Sequence, residues 1–91
     1  MLHIVKTIQA IEEAVKVYTQ GDQLLLIEDA VYSANPQHKT YPLIQGLNIA
    51  VLKADVDARG IANRISPSVL LVDYSGFVNL TVESTNSITW Q

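Results

Sequence analysis

The chain has 91 residues, 48% of them apolar and 16% charged, with a net charge of −3 and no cysteine. That composition excludes a disulfide scaffold and a basic nucleic-acid footprint. No apolar run approaches the roughly 20 residues that span a bilayer, and the N-terminus lacks the basic region, long apolar stretch and cleavage site of a secretory signal. The expectation is one cytoplasmic domain over residues 1–91. A chain of this size buries only about 60% of the surface its unfolded form exposes, so its core is small. The low charged fraction points to a partner covering part of the surface. The plainer reading is a small core that uses every apolar residue it has.

In chain order, Leu2-His3-Ile4-Val5 reads as a first strand and Thr7 as the cap of a helix. Ile8, Ile11, Val15 and Tyr18 share a helical face, with Glu12, Glu13 and Lys16 opposite, and Gly21 closes the segment. Leu24–Ile27 is a continuous apolar run, the pattern of a strand covered on both faces. Asp29 or Ser33 opens a short helical segment that Asn35-Pro36 ends, because the residue before proline is pushed out of the helical region. Pro36–Gly46 reads as a long loop and Ile49–Leu52 as a third strand. Asp55 is then the expected cap of a helix with Ala58, Ile61, Ala62 and Ile65 on one face, Gly60 inside it and Ser66-Pro67 at its end.

Val69–Val72 is a fourth strand, and Ile88-Thr89-Trp90 a short fifth. Between them, residues 75–84 fit two patterns, of which periodicity alone favours the strand. Val78, Leu80 and Val82 alternate with polar neighbours as in a strand, whereas Phe77, Leu80, Thr81 and Ser84 share a helical face behind a Ser75 cap. The succession of strands and helical crossovers favours the helix. The fold class that follows is α/β, a three-layer sandwich with a mainly parallel sheet of about five strands and helices on both faces.

Few residues suggest chemistry. Glu28-Asp29, Asp55, Asp57 and Asp73 follow strands, where sites of open α/β sheets are built. They are candidate Mg²⁺ carboxylates, as in a phosphoacceptor domain. Lys6-Thr7 stands where such a domain needs acids, and helix capping with dipole complementarity explains the same residues more simply. His3 reads as a core or interface histidine and His38 as a loop residue, without the company of a metal site. Ser33, Ser66, Ser68, Ser75, Ser84 and Ser87 lack a base partner. Gly21, Gly46, Gly60 and Gly76 form no phosphate-binding loop. Tyr32, Tyr41, Tyr74, Phe77 and Trp90 are equally candidates for interface anchors and for core packing. No catalytic, cofactor-binding or metal residue is assigned.

Three ordered stretches, LLLIEDAVYSA (24–34), DVDARGI (55–61) and VDYSGFVNLT (72–81), with MLHIV at the start and ITW near the end, resemble the DsrH/TusB family of the DsrE/DsrF/DsrH sulfur-relay group. The resemblance covers nearly the whole chain and implies a DsrE-like fold. It makes residues 75–84 a helix. It implies partnership with TusC-like and TusD-like subunits in a dimer of heterotrimers. There the TusD-like subunit takes persulfide sulfur from TusA and passes it to TusE, for 2-thiolation of the tRNA wobble uridine. Some DsrH-type members carry a cysteine in the first helix; Ala14 stands near that place here. A persulfide needs a thiolate as carrier, so the resemblance implies a non-catalytic subunit, with no cofactor and no direct contact with nucleic acid or membrane. A homodimer of the isolated chain is a further expectation. The alternative is a stand-alone homo-oligomeric module of the same fold that binds a small ligand.

Overall fold

The computed structural model describes all 91 residues. Five strands form one sheet: β1 (Leu2–Val5), β2 (Gln23–Leu26), β3 (Ile49–Leu52), β4 (Leu70–Val72) and β5 (Ser87–Trp90). Every pairing is parallel, and the order across the sheet is β4-β3-β2-β1-β5. The strand order is what the sequence left open. Crossovers between parallel strands are almost always right-handed. Stepping from β1 to β4 in one direction therefore leaves the connections on one face, and the return to β5 places its helix on the other.

The packing follows that rule. On the first face, Val5, Leu24, Leu26, Ile49 and Val51 meet Ala10, Ile11 and Ala14 of helix α1 (Ile8–Val17) and Ala30, Val31 and Ala34 of a 3₁₀ segment, Glu28–Ala34. One-turn helix α2 (Tyr41–Ile44) contributes Ile44 and helix α3 (Lys53–Ala58) contributes Val56. The second face is much poorer. Leu2, Ile4, Leu25, Ala50 and Val72 are covered by Phe77 and Leu80 of helix α4 (Tyr74–Glu83).

Several boundaries differ from the sequence reading, each for a local reason. The loop at 36–46 contains α2, because Pro42 sits in its first turn, where the missing N–H costs no helical hydrogen bond. Asp55 is not a cap: α3 starts at Lys53, so Asp55 lies in its first turn. Gly60 lies outside α3, not within it. Its φ of +66° ends the helix, and Ala62–Arg64 continues as a separate 3₁₀ turn. Gly21 (φ +95°) belongs to the turn before β2, after α1 has ended at Tyr18. The 3₁₀ segment opens at Glu28 rather than at Asp29 or Ser33.

Residues 74–83 are a helix, but Asp73 rather than Ser75 is the cap, its Oδ1 accepting from the Gly76 N–H at 2.8 Å. A Cβ at Gly76 would stand 3.0 Å from Val72 Cβ, so the missing side chain lets α4 turn close against the end of β4. Asp73→Ala is expected to lower stability by about 1 kcal/mol, the usual cost of losing such a cap, with Asp73→Asn close to wild type. Urea unfolding of the three proteins checks this; an Asp73→Ala midpoint equal to wild type would contradict it.

Candidate functional site

Apart from Asp73, which caps α4, the acidic residues at the strand ends are held in ion pairs rather than gathered around a shared centre. The Glu28 N–H donates to Asp55 Oδ2 at 2.7 Å. Arg59 donates from Nε to Asp29 Oδ1 at 3.0 Å and from Nη1 to the Asp55 carbonyl at 3.2 Å. Lys6 lies 3.4 Å from Glu28 and Lys53 lies 2.7 Å from Asp57, an ion pair that raises the Lys53 pKa. No three His, Asp or Glu side chains converge on a point. Arg59 thus ties the 3₁₀ segment after β2 to α3 after β3. Nothing in the sequence marks this link, since Asp29 and Arg59 are 30 residues apart. Glu28 carries the one positive φ outside glycine, +50°. Its N–H bond to Asp55 holds that conformation, one that a side chain normally disfavours.

The end of β2 is not the switch point of this sheet. Ligand crevices of open α/β sheets form where neighbouring strands send their connections to opposite faces. Here β3 leads to α3 on the first face and β4 leads to α4 on the second, so the switch lies between β3 and β4. The end of β2 is one strand away from it, whereas Asp55 and Asp57 follow β3 and Asp73 follows β4, on either side of it.

His3 is buried, as expected of a core histidine, but its hydrogen bonds reach far along the chain. Trp90 Nε1–H donates to His3 Nδ1 at 3.2 Å. An indole can only donate, so Nδ1 accepts and the proton lies on Nε2, which donates to Asp22 Oδ2 at 2.9 Å. Asp22 also accepts from the Thr19 N–H at 3.0 Å and from the Met1 amino group at 2.9 Å, and the Tyr18 hydroxyl donates to its carbonyl. This network lies at the N-terminal ends of β1 and β2, opposite the edge where α/β sites are built. It joins the β1–β2 pair to β5.

The His3 hydrogen bond, and then that of the Met1 amino group, hold the Asp22 carboxyl well below the usual carboxylate range. A depressed folded-state pKa stabilises the fold fully above the unfolded value, about 3.9 for Asp. That stabilisation is lost as the pH falls through the lower folded value. Asp22→Asn keeps an acceptor for His3 but cannot titrate. Wild type is therefore expected to lose more stability than Asp22→Asn between about pH 5 and pH 2. Urea unfolding across that range checks it, and identical acid slopes would contradict the assignment.

The remaining candidates are structural in their contacts. The Thr40 N–H donates to His38 Nδ1 at 3.2 Å, and the Thr40 hydroxyl bonds the buried Ser33 hydroxyl, so His38 is part of a fixed turn. The Tyr41 hydroxyl donates to Ser66 Oγ at 3.2 Å, and Ser66 and then Ser68 lower the Tyr41 pKa. No serine hydroxyl is hydrogen-bonded to a histidine or a carboxylate. Ala14 is fully buried in the larger core. A shallow cleft of about 420 Å³ lies between Asn35, Pro36, Gln37, Asn63 and Arg64.

The aromatic candidates separate by position. Tyr32, Tyr41 and Trp90 pack on the larger core and Phe77 on the smaller one. Tyr74 is 64% exposed and begins a stripe on the outer side of α4 that continues through Val78 (56%) and Val82 (76%). Leu70 of β4 is exposed on the same face of the sheet as α4. This apolar surface is the most prominent feature of the molecule that its own fold does not use. Part of the apolar composition is therefore exposed rather than used in the core.

A five-stranded parallel sheet in this order, with one face carrying most of the helices and the other only α4, defines a small α/β sandwich shared with known structures. It matches the crystal structure of the ychN protein from E. coli with a TM-score of 0.74, covering 97% of both chains at 17% identity. It matches the solution structure of protein Tm0979 from Thermotoga maritima with a TM-score of 0.63, covering 90% of this chain and 92% of that one at 24% identity. At such identities the likeness concerns the fold. Residues 6–87 match the family model described as DsrH like protein, and the chain belongs to the DsrH family. Among its relatives are proteins TusB of Salmonella enteritidis and Salmonella gallinarum, each 40% identical over 77 residues that cover 82% of this chain and 81% of the relative. No helix is long and apolar enough to cross a membrane.

Proposed function

We propose that the chain is a non-catalytic subunit of a cytoplasmic sulfurtransferase complex that supports 2-thiolation of the tRNA wobble uridine. In this reading it assembles with TusC-like and TusD-like subunits as a dimer of heterotrimers. The observation that carries the reading is its 40% identity to TusB proteins across four-fifths of its length, in a chain without a cysteine. Sulfur relay proceeds by attack of one thiolate on the persulfide of another, so each covalent station needs a cysteine. With Ala14 buried and no thiol anywhere, the role left to this chain is to hold or shape the subunits that carry sulfur. The uncovered surface of β4 and α4 supports an assembly role.

Incubation of the purified chain with a ³⁵S-labelled persulfide donor is expected to leave no protein-bound label, while a TusD-like subunit treated in parallel acquires it. Stable label on the chain alone would contradict the non-catalytic reading.

A further inference from the structure

The outer side of α4 raises a question that the assembly reading leaves open, namely which partner surface it fits. Tyr74, Val78 and Val82 are spaced four residues apart and form one stripe along the helix. Phe77 and Leu80 face the sheet from the other side. A helix that is apolar on both sides is ordinarily buried between two layers, and here only one layer is present. Leu70, 56% exposed and paired in register with Ala50 on the α4 face, extends the apolar surface from the helix onto β4; Leu71, paired with Val51, points to the other face.

The charges around this surface select the occupant. Between residues 65 and 91 there is no Lys or Arg, and the only charged side chains are Asp73 and Glu83, at the two ends of α4. A two-fold interface presents the same patch on both copies. With the helices antiparallel, each Asp73 meets the other copy's Glu83. With them parallel, like residue meets like residue. Both arrangements place acid against acid at the rim, with no cation from this part of the chain to offset it. The N-terminus of a second α4 offers no site for Glu83 either, because Asp73 already caps it.

We infer that α4 and the end of β4 form a heterotypic docking face, and that its partner presents an apolar strip flanked by Lys or Arg side chains placed to meet Asp73 and Glu83. The inference rests on the assembly reading above and specifies its surface. A second copy of this chain is the occupant that the charge pattern disfavours.

The test uses the full chain with the TusC-like and TusD-like subunits of the same organism, read by titration calorimetry and native mass spectrometry. Val78→Arg and Val82→Arg replace exposed side chains, so their melting temperatures should stay near that of wild type. A cation forced into the apolar centre should weaken binding by about 100-fold or more. Glu83→Lys should weaken binding by about tenfold and flatten its salt dependence. Val17→Arg, an exposed position on α1, should bind as wild type does.

If wild type binds neither subunit, the assembly reading itself fails. If wild type, Val78→Arg and Val82→Arg all bind alike, that reading stands and the surface assigned here is wrong. Unchanged affinity and salt dependence for Glu83→Lys would overturn the basic rim. A stable dimer of the chain alone that Val82→Arg abolishes would give the face to a second copy and overturn the heterotypic assignment.

Discussion

Leu25→Ala is expected to be among the most damaging single core changes in this protein. Leu25 is fully buried in the middle of β2 and belongs to the smaller core, where five buried residues are covered by Phe77 and Leu80 of α4 and by Ile27. Leu-to-Ala truncations in cores cost about 2–5 kcal/mol, more where the surroundings cannot collapse into the space. Collapse is restricted here, because α4 is held by its cap at Asp73 and by Phe77 and Leu80. A 91-residue domain has a total stability of roughly 5–14 kcal/mol. The loss is therefore a large share of the whole and should lower Tm by about 10 °C or more. The same change loosens the seat of α4, so the variant should bind partner subunits less well even where it remains folded. Thermal unfolding with the binding titration above measures both. A shift of only a few degrees, with α4 intact, would mean that the second face contributes little to the fold.

The uneven division of the core also explains what was legible in the sequence. The runs Leu2–Val5, interrupted only by His3, Leu24–Ile27 and Ile49–Leu52 mark three central strands to within a residue, because strands covered on both faces need mostly apolar side chains. α4 was ambiguous for a physical reason. Its outward Val78 and Val82 alternate with its inward Leu80, so a helix with two apolar sides imitates the period of a strand. The resemblance to the DsrH/TusB stretches decided that point. Pro42 hid α2, since proline reads as a breaker unless the start of the helix is already known. Gly60 reads as helical from sequence because Ala58, Ile61, Ala62 and Ile65 keep helical spacing across a break that their composition does not reveal.

The polar residues were less legible than the apolar ones. His3 was readable as buried, but its bonds to Asp22 and Trp90 span 19 and 87 positions, and local pattern carries no trace of them. The capping role expected of Asp73 as an alternative to chemistry is what the structure shows. Asp55 instead supports the backbone of Glu28, whose left-handed conformation no sequence rule would place on a glutamate. The exposed apolar residues could be grouped only from the fold, which sets Leu70, Tyr74, Val78 and Val82 on the α4 side of the sheet.

The second large effect concerns the complex rather than the chain. If this subunit shapes the assembly without carrying sulfur, then leaving it out removes no covalent station, yet the cysteine-bearing subunit loses a neighbour that positions it. Relay transfer depends on thiolate and persulfide meeting in a reactive geometry, and positioning of reacting groups accounts for a large part of such rates. The measurement is a reconstitution of sulfur delivery from a persulfide donor to tRNA, with the TusC-like and TusD-like subunits and the downstream acceptor present, reading 2-thiouridine with and without this chain. The account predicts that its omission reduces 2-thiouridine formation at least about tenfold, that wild type restores it, and that Val82→Arg does not. Delivery undiminished in the absence of the chain would contradict the account.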